Sequence, residues 1–164
     1  MILIGIGSNL EGPWGPPNET VRRAFSALDE APLRLLKASR AILTAPYGRT
    51  DQPDFVNAVA EIATDVEPRA LLDRLHAIEC EAGRQRTLHW GPRTLDLDLL
   101  DYQGLVVTGD DGPEPGRPLV LPHPGIPERA FVLAPIAEIA PDWRHPVLGA
   151  TATELLRRRA SSAY

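Results

Sequence analysis

The chain has 164 residues, a formal net charge of -5 and a pI near 5.3. That length allows one domain with a real core, and the acidity excludes a broad electrostatic grip on nucleic acid or an anionic membrane surface. The single cysteine, Cys80, excludes an internal disulfide framework and a multi-cysteine zinc site. The opening run M-I-L-I-G-I-G-S-N is too short to span a bilayer and has neither a basic leader nor a cleavage-like small-residue site, so one cytoplasmic domain over 1–164 is expected. Seventeen prolines and thirteen glycines concentrate at 11–18, 109–127 and 141–149, which reads as ordered connections between elements.

Residues 2–7 read as a buried strand that Gly7-Ser8-Asn9 ends with turn chemistry. Asn18 is the expected N-cap of a helix whose core face is Val21, Ala24, Phe25 and Leu28. Gly5 and Gly7 suggest a phosphate loop only superficially, because neither G-x-G-x-x-G nor the Walker pattern is present. Residues 34–44 and 55–64 read as two strands joined by a proline-rich loop too long for a tight hairpin. Asn57 stands out in the second, F-V-N-A-V-A, where a buried amide is costly unless its groups are paired. Neighbouring backbone could satisfy it, or a flat ligand with complementary N–H and C=O groups could, with Phe55 two positions away on the same face.

Pro68 suits the first turn of a second helix whose inner stripe is Leu71, Leu72, Leu75, Ile78, Glu79 and Ala82, ended by Gly83. Glu79 interrupts that apolar stripe, and His76 lies one turn before it, which suits either a ligand contact or a solvent-edge pair. Then G-R-Q-R-T-L-H-W-G-P-R gathers Arg84, Arg86, His89 and Arg93 ahead of T-L-D-L-D-L-L. In a strand Leu95, Leu97 and Leu99 share one face and Asp96 and Asp98 the other. Two adjacent carboxylates repel unless solvated or bound to a cation, and a hard ion such as Mg2+ prefers their oxygens. A solvated D-x-D on a half-buried strand is the plainer reading. The adjacent guanidinium groups, which match phosphate oxygens, raise a metal-phosphate site to equal standing with it.

Residues 104–118 read as a polar insertion with an exposed hairpin tip at 109–116. The segment L-V-L-P-H-P-G-I-P-E-R-A-F then supplies His123, Arg129 and Phe131 and leads into a helix over roughly 130–139. Thr151-x-x-Glu154 is a capping box for a last helix, with Arg157 to Arg159 expected in its final turn.

With W-G-P-R-T-L-D-L-D-L, G-R-x-R and L-P-H-P-x-x-x-x-R-x-F all present, the sequence resembles the 6-hydroxymethyl-7,8-dihydropterin pyrophosphokinases of folate biosynthesis, from I-G-I-G-S-N-L to near residue 140. The resemblance implies an α+β ferredoxin-like sandwich, a mainly antiparallel sheet with helices on its faces. It also implies transfer of the β,γ-pyrophosphoryl unit of ATP to the hydroxymethyl oxygen of the pterin, with release of AMP, by a monomer that engages neither nucleic acid nor membrane. Carried over by motif, Asp96 and Asp98 would hold two Mg2+ ions and, with Arg84 and Arg93, form the catalytic set. His76, Glu79, Arg86, Trp90, Arg93, Leu99, His123 and Arg129 would contact ATP. Thr44, Pro46, Tyr47, Phe55, Asn57, Trp90 and Phe131 would hold the pterin. The chain departs from the family pattern at His76, often glutamine, and at Pro118, where some members carry arginine and Arg117 is the nearest substitute. A ferredoxin-like RNA-binding sheet and another Mg-dependent phosphoryl or nucleotidyl transferase are the competing readings. The first needs a basic face with exposed aromatics, whereas this chain has few aromatics and is expected to carry its aspartates on a central strand, and product identity separates the second.

Overall fold

A computed structural model describes residues 1–44, 54–83, 94–109 and 118–162. The β-branched and leucine-rich runs form strands β1 (Ile2–Ser8), β2 (Arg34–Ala38), β3 (Ile42–Thr44), β4 (Phe55–Ala63) and β5 (Asp96–Tyr102). The amphipathic segments form helices α1 (Pro17–Ala27), α2 (Pro68–Glu81), α3 (Ala130–Ile139) and α4 (Ala152–Ser162), with one 3-10 turn at Ile126–Glu128. The strands make one antiparallel sheet in the order β2-β4-β1-β5, with β3 continuing β2 along the same edge of β4. Strand, helix, strand, strand, helix, strand in that spatial order is the ferredoxin-like arrangement expected from the sequence.

Three expectations need correction. The strand expected over 34–44 is broken at Ser39, whose hydroxyl accepts the Val59 N–H at 2.8 Å while its own N–H bonds the Val59 carbonyl. A side chain thus replaces a ladder bond, and the strand is interrupted until β3 resumes at Ile42; the register shift itself falls earlier, between Leu35 and Lys37. Asn18 is not the cap of α1: the helix starts at Pro17 with Pro16 in the cap position, because proline at N1 has no amide that needs capping. The final helix also runs on to Ser162, leaving only Arg159 of the three arginines in its last turn.

The sheet separates two cores. Ile2, Ile4, Ile6, Leu95, Leu97 and Leu99 pack on α1 and α2. On the other face Leu3, Val59 and Leu100 pack on α3, α4 and Trp143. That second core covers only one end of its face. Further along β1 the same face carries Gly5 and Gly7, and there the site lies.

Candidate active site

The alternation of β5 does what its sequence requires: the leucines are buried, whereas Asp96 and Asp98 are partly exposed on the opposite face. Asp98 is registered with Gly5 and Asp96 with Gly7, and on the far side of β1 Gly5 pairs with Val59 and Gly7 with Asn57. A cross-strand row therefore runs Asn57, Gly7, Asp96, with about 10 Å between its ends at two strand spacings. The middle of the row has no side chain. A Cβ built on Gly7 would stand 2.9 Å from Asn57 Oδ1 and 3.7 Å from the Phe55 ring, so the glycine keeps a slot open between amide and carboxylate. Asn57 is 8% exposed and its Nδ2 donates to Thr44 Oγ1 at 2.5 Å, which orients the amide with Thr44 on the adjoining β3.

The positive side of the site comes from the segment after the insertion. Val107 and Leu121 exchange backbone hydrogen bonds, and the His123 N–H bonds the Leu100 carbonyl at 2.9 Å, which lays this segment along β5. His123 Nδ1 accepts the Gly125 N–H at 3.0 Å, so the proton of the neutral ring sits on Nε2. That nitrogen is 3.8 Å from Asp98 Oδ1, and Arg129 Nη1 is 4.0 Å from Asp98 Oδ2. Arg129 caps α3 with its backbone, and its guanidinium carbon lies 5.9 Å from the centre of the Phe131 ring. Gly125 is what allows this approach, because a Cβ there would meet Arg129 Nε at 2.7 Å. A cavity of about 220 Å3 beside β5 is lined by Leu72, Leu97, Asp98, Leu99 and His123 among others.

The structure thus brings Asp96, Asp98, His123 and Arg129 together. It sets Thr44, Phe55 and Asn57 on the same face of the sheet. Leu99 lines the cavity from the core side. His76 is half-buried on α2, and Glu79, 1% exposed, accepts the Leu97 N–H at 2.8 Å. Pro46, Tyr47, Arg84, Arg86, Trp90 and Arg93 lie outside the described residues. Sequence reasoning missed the role of Gly5 and Gly7. The signal was their period of two inside an apolar strand, which puts both on one face.

A family model described as "7,8-dihydro-6-hydroxymethylpterin-pyrophosphokinase (HPPK)" matches residues 3–141. The chain belongs to the HPPK family. Among its relatives is the 2-amino-4-hydroxy-6-hydroxymethyldihydropteridine pyrophosphokinase of Pseudomonas aeruginosa, 43% identical over 88% of this chain and 83% of that one. The enzyme of the same name from Methylorubrum extorquens is 41% identical over 85% of this chain and 82% of its own. A crystal structure of "HPPK-DHPS in complex with substrates" superposes with a TM-score of 0.70, covering 99% of this chain and 44% of that one, at 14% identity. It supports the HPPK fold alone. Among the described residues no cluster of three or more His, Cys, Asp or Glu could hold a metal ion, and no helix is long and apolar enough to cross a membrane.

Proposed function

We infer that the chain transfers the pyrophosphoryl group of ATP to 6-hydroxymethyl-7,8-dihydropterin in folate synthesis, releasing AMP. Family membership carries the reaction. One observation carries its layout on the chain: the site has a flat, uncharged end at Thr44, Asn57 and Gly7, and a charged end at Asp98, His123 and Arg129. We assign the pterin to the first and the triphosphate to the second, so the reacting oxygen meets the β-phosphorus near Asp96 and Asp98.

In this reading Asn57 pairs with the polar edge of the pterin, and Phe55 and Phe131 flank its ring, which buries apolar area while the amide supplies selectivity. Thr44 holds the amide so that its free acceptor faces the ligand. The hydroxymethyl oxygen forms the new bond to the β-phosphorus, the bond from that phosphorus to the oxygen bridging to the α-phosphate breaks, and AMP leaves with that oxygen. Asp96, in the Asn57 row, receives the hydroxyl proton. Arg129 and the Nε2–H of His123 donate to phosphate oxygens and offset the charge that develops on them. Pro46, Tyr47, Trp90, Arg84, Arg86 and Arg93, with His76 and Leu99, are carried as family-based assignments to pterin or nucleotide.

The donor set suits a hard cation. Two partly exposed carboxylates supply some oxygen ligands and leave the others to water and substrate, as Mg2+ prefers. We propose that Asp96 and Asp98 hold two such ions. Bound there, Mg2+ supplies Lewis-acid neutralisation of the phosphate oxygens. We further propose that residues 1–164 act as one cytoplasmic, monomeric domain. Incubation with ATP, Mg2+ and the hydroxymethyldihydropterin is the test. AMP and pterin diphosphate in equal amounts are expected, whereas ADP or free pyrophosphate as the product would overturn the reading.

A further inference from the structure

Glu79 is the only buried carboxylate of α2, and its placement is unusual for a group assigned to ATP. At 1% exposure it faces protein, and its Oε2 accepts the N–H of Leu97, the residue between Asp96 and Asp98, at 2.8 Å. Among the described residues β5 ends the strand order β2-β4-β1-β5, with its sheet partner on the β1 side. On the other side no strand of the described residues takes its N–H groups, and a buried donor left there would be costly. The Glu79 carboxyl oxygen supplies that acceptor and fixes the peptide plane of Leu97. A second buried bond acts two residues before Asp96: Ser8 Oγ, at the end of β1, donates to the Thr94 carbonyl at 2.6 Å. The strand is thus held on both sides of Asp96 from the protein interior.

We propose that Glu79 is a positioning residue, which fixes the Leu97 peptide and through it the separation and direction of the Asp96 and Asp98 carboxylates for a divalent cation. It touches neither the cation nor the nucleotide. The proposal rests on the pyrophosphokinase reading and replaces the expectation that Glu79 contacts ATP. Partners that orient metal ligands are worth about 10- to 100-fold in metal affinity, which sets the size of the effect.

The test compares the wild type, Glu79→Gln and Glu79→Ala by Mn2+ titration, counting free ion by electron paramagnetic resonance without nucleotide, and by the position of the Leu97 amide in a 1H–15N spectrum. Glutamine keeps a carbonyl acceptor of the same reach, so Mn2+ affinity within about threefold of wild type and a nearly unmoved Leu97 amide are expected. Alanine removes the acceptor. Mn2+ binding weaker by about tenfold, an upfield shift of the Leu97 amide, and an equal rise in the Mg2+ needed for half-maximal turnover are expected. Unchanged Mn2+ affinity in Glu79→Ala, or a wild type that binds no Mn2+, would overturn the proposal. So would a Glu79→Gln variant that keeps the Leu97 amide yet loses tenfold in ATP affinity at saturating Mn2+, since that marks a direct contact. If Glu79→Ala does not fold, the glutamine variant alone decides. Product analysis of the wild type tests the pyrophosphokinase reading separately, because the Mn2+ comparison does not depend on turnover.

Discussion

Asp96 and Asp98 differ from the buried polar groups of this chain in being partly exposed and placed for charge instead of packing. Asp96→Ala or Asp98→Ala is expected to lower kcat by about 10^3-fold or more, the scale of losing groups that stabilise developing charge. The melting temperature should move by only a few degrees, since removing one carboxylate relieves repulsion and opens no cavity. Near wild-type Mg-dependent turnover in either variant would reject the assignment. Gly7→Ala tests the slot: its Cβ would press on Asn57 Oδ1, so the pterin KM should rise severalfold with the ATP KM nearly constant, as steady-state kinetics would report. Phe131→Ala should weaken pterin binding by about 1–3 kcal/mol through lost stacking and buried area, read by calorimetry. At this scale the carboxylate pair and Asn57 were legible from residue type and strand parity, and the His123 to Phe131 segment from its resemblance to the family motif. The distance from His123 or Arg129 to Asp98 was not, because it is set by how the segment after the insertion lies along β5.

The last helix shows how far local pattern determines an element. Thr151 and Glu154 make the reciprocal bonds of a capping box, Glu154 N–H to Thr151 Oγ1 at 3.2 Å and Thr151 N–H to Glu154 Oε1 at 3.3 Å, and the sequence spacing alone predicts them. Thr151→Ala should cost about 0.5–2 kcal/mol of stability, measurable by urea unfolding. The hydrogen bonds from the Thr151 backbone and side chain hold the Glu154 carboxyl below its ordinary value of 4.5, with Arg144 and Arg158 adding to the effect. A lowered native pKa means that this contribution is present above pH 4.5 and is lost as pH falls through the native value. Elements whose form depends on distant partners read less well. The break at Ser39 needs Val59 opposite it, and the Arg40 N–H is taken by the Glu138 carboxylate at 3.0 Å from α3, a contact 98 residues away. Nothing within 34–44 could announce either.

Across the whole molecule, the layer of α3 and α4 is tied to the sheet by polar bonds as well as by its apolar core. Asp101, at the far end of β5 from the site, accepts the Trp143 indole N–H at 2.8 Å and the Gly104 N–H at 3.1 Å. His145 stacks edge-on to Trp143 and accepts the N–H groups of Val147 and Leu148 on Nδ1, which only an unprotonated nitrogen can do. Burial lowers the His145 pKa below 6.5, and the nearby Asp101 charge opposes that shift without reversing it. The unfolded chain therefore takes up the proton first as pH falls. Stability should be fully present above pH 6.5 and decline on acidification through the lowered native value, and a His145→Gln variant should show a flatter profile over that window in chemical unfolding. The α+β sandwich with helices on the faces of the sheet was expected from the family resemblance and agreed with the strand and helix order, whereas the fastening of the outer layer depends on Asp101, Trp143 and His145, where the Asp101 to Trp143 bond spans 42 residues and leaves no local trace.

The glycine pair in β1 has an evolutionary corollary. A wall built from side chains can be reshaped by single-base changes, but a surface of bare peptide offers selection nothing to trim and only bulk to add. Growth under a planar competitor of the pterin should therefore enrich changes around the rim, at Thr44, Phe55 or Phe131, and leave Gly5 and Gly7 untouched, because any replacement there would weaken binding of the natural ligand along with that of the drug.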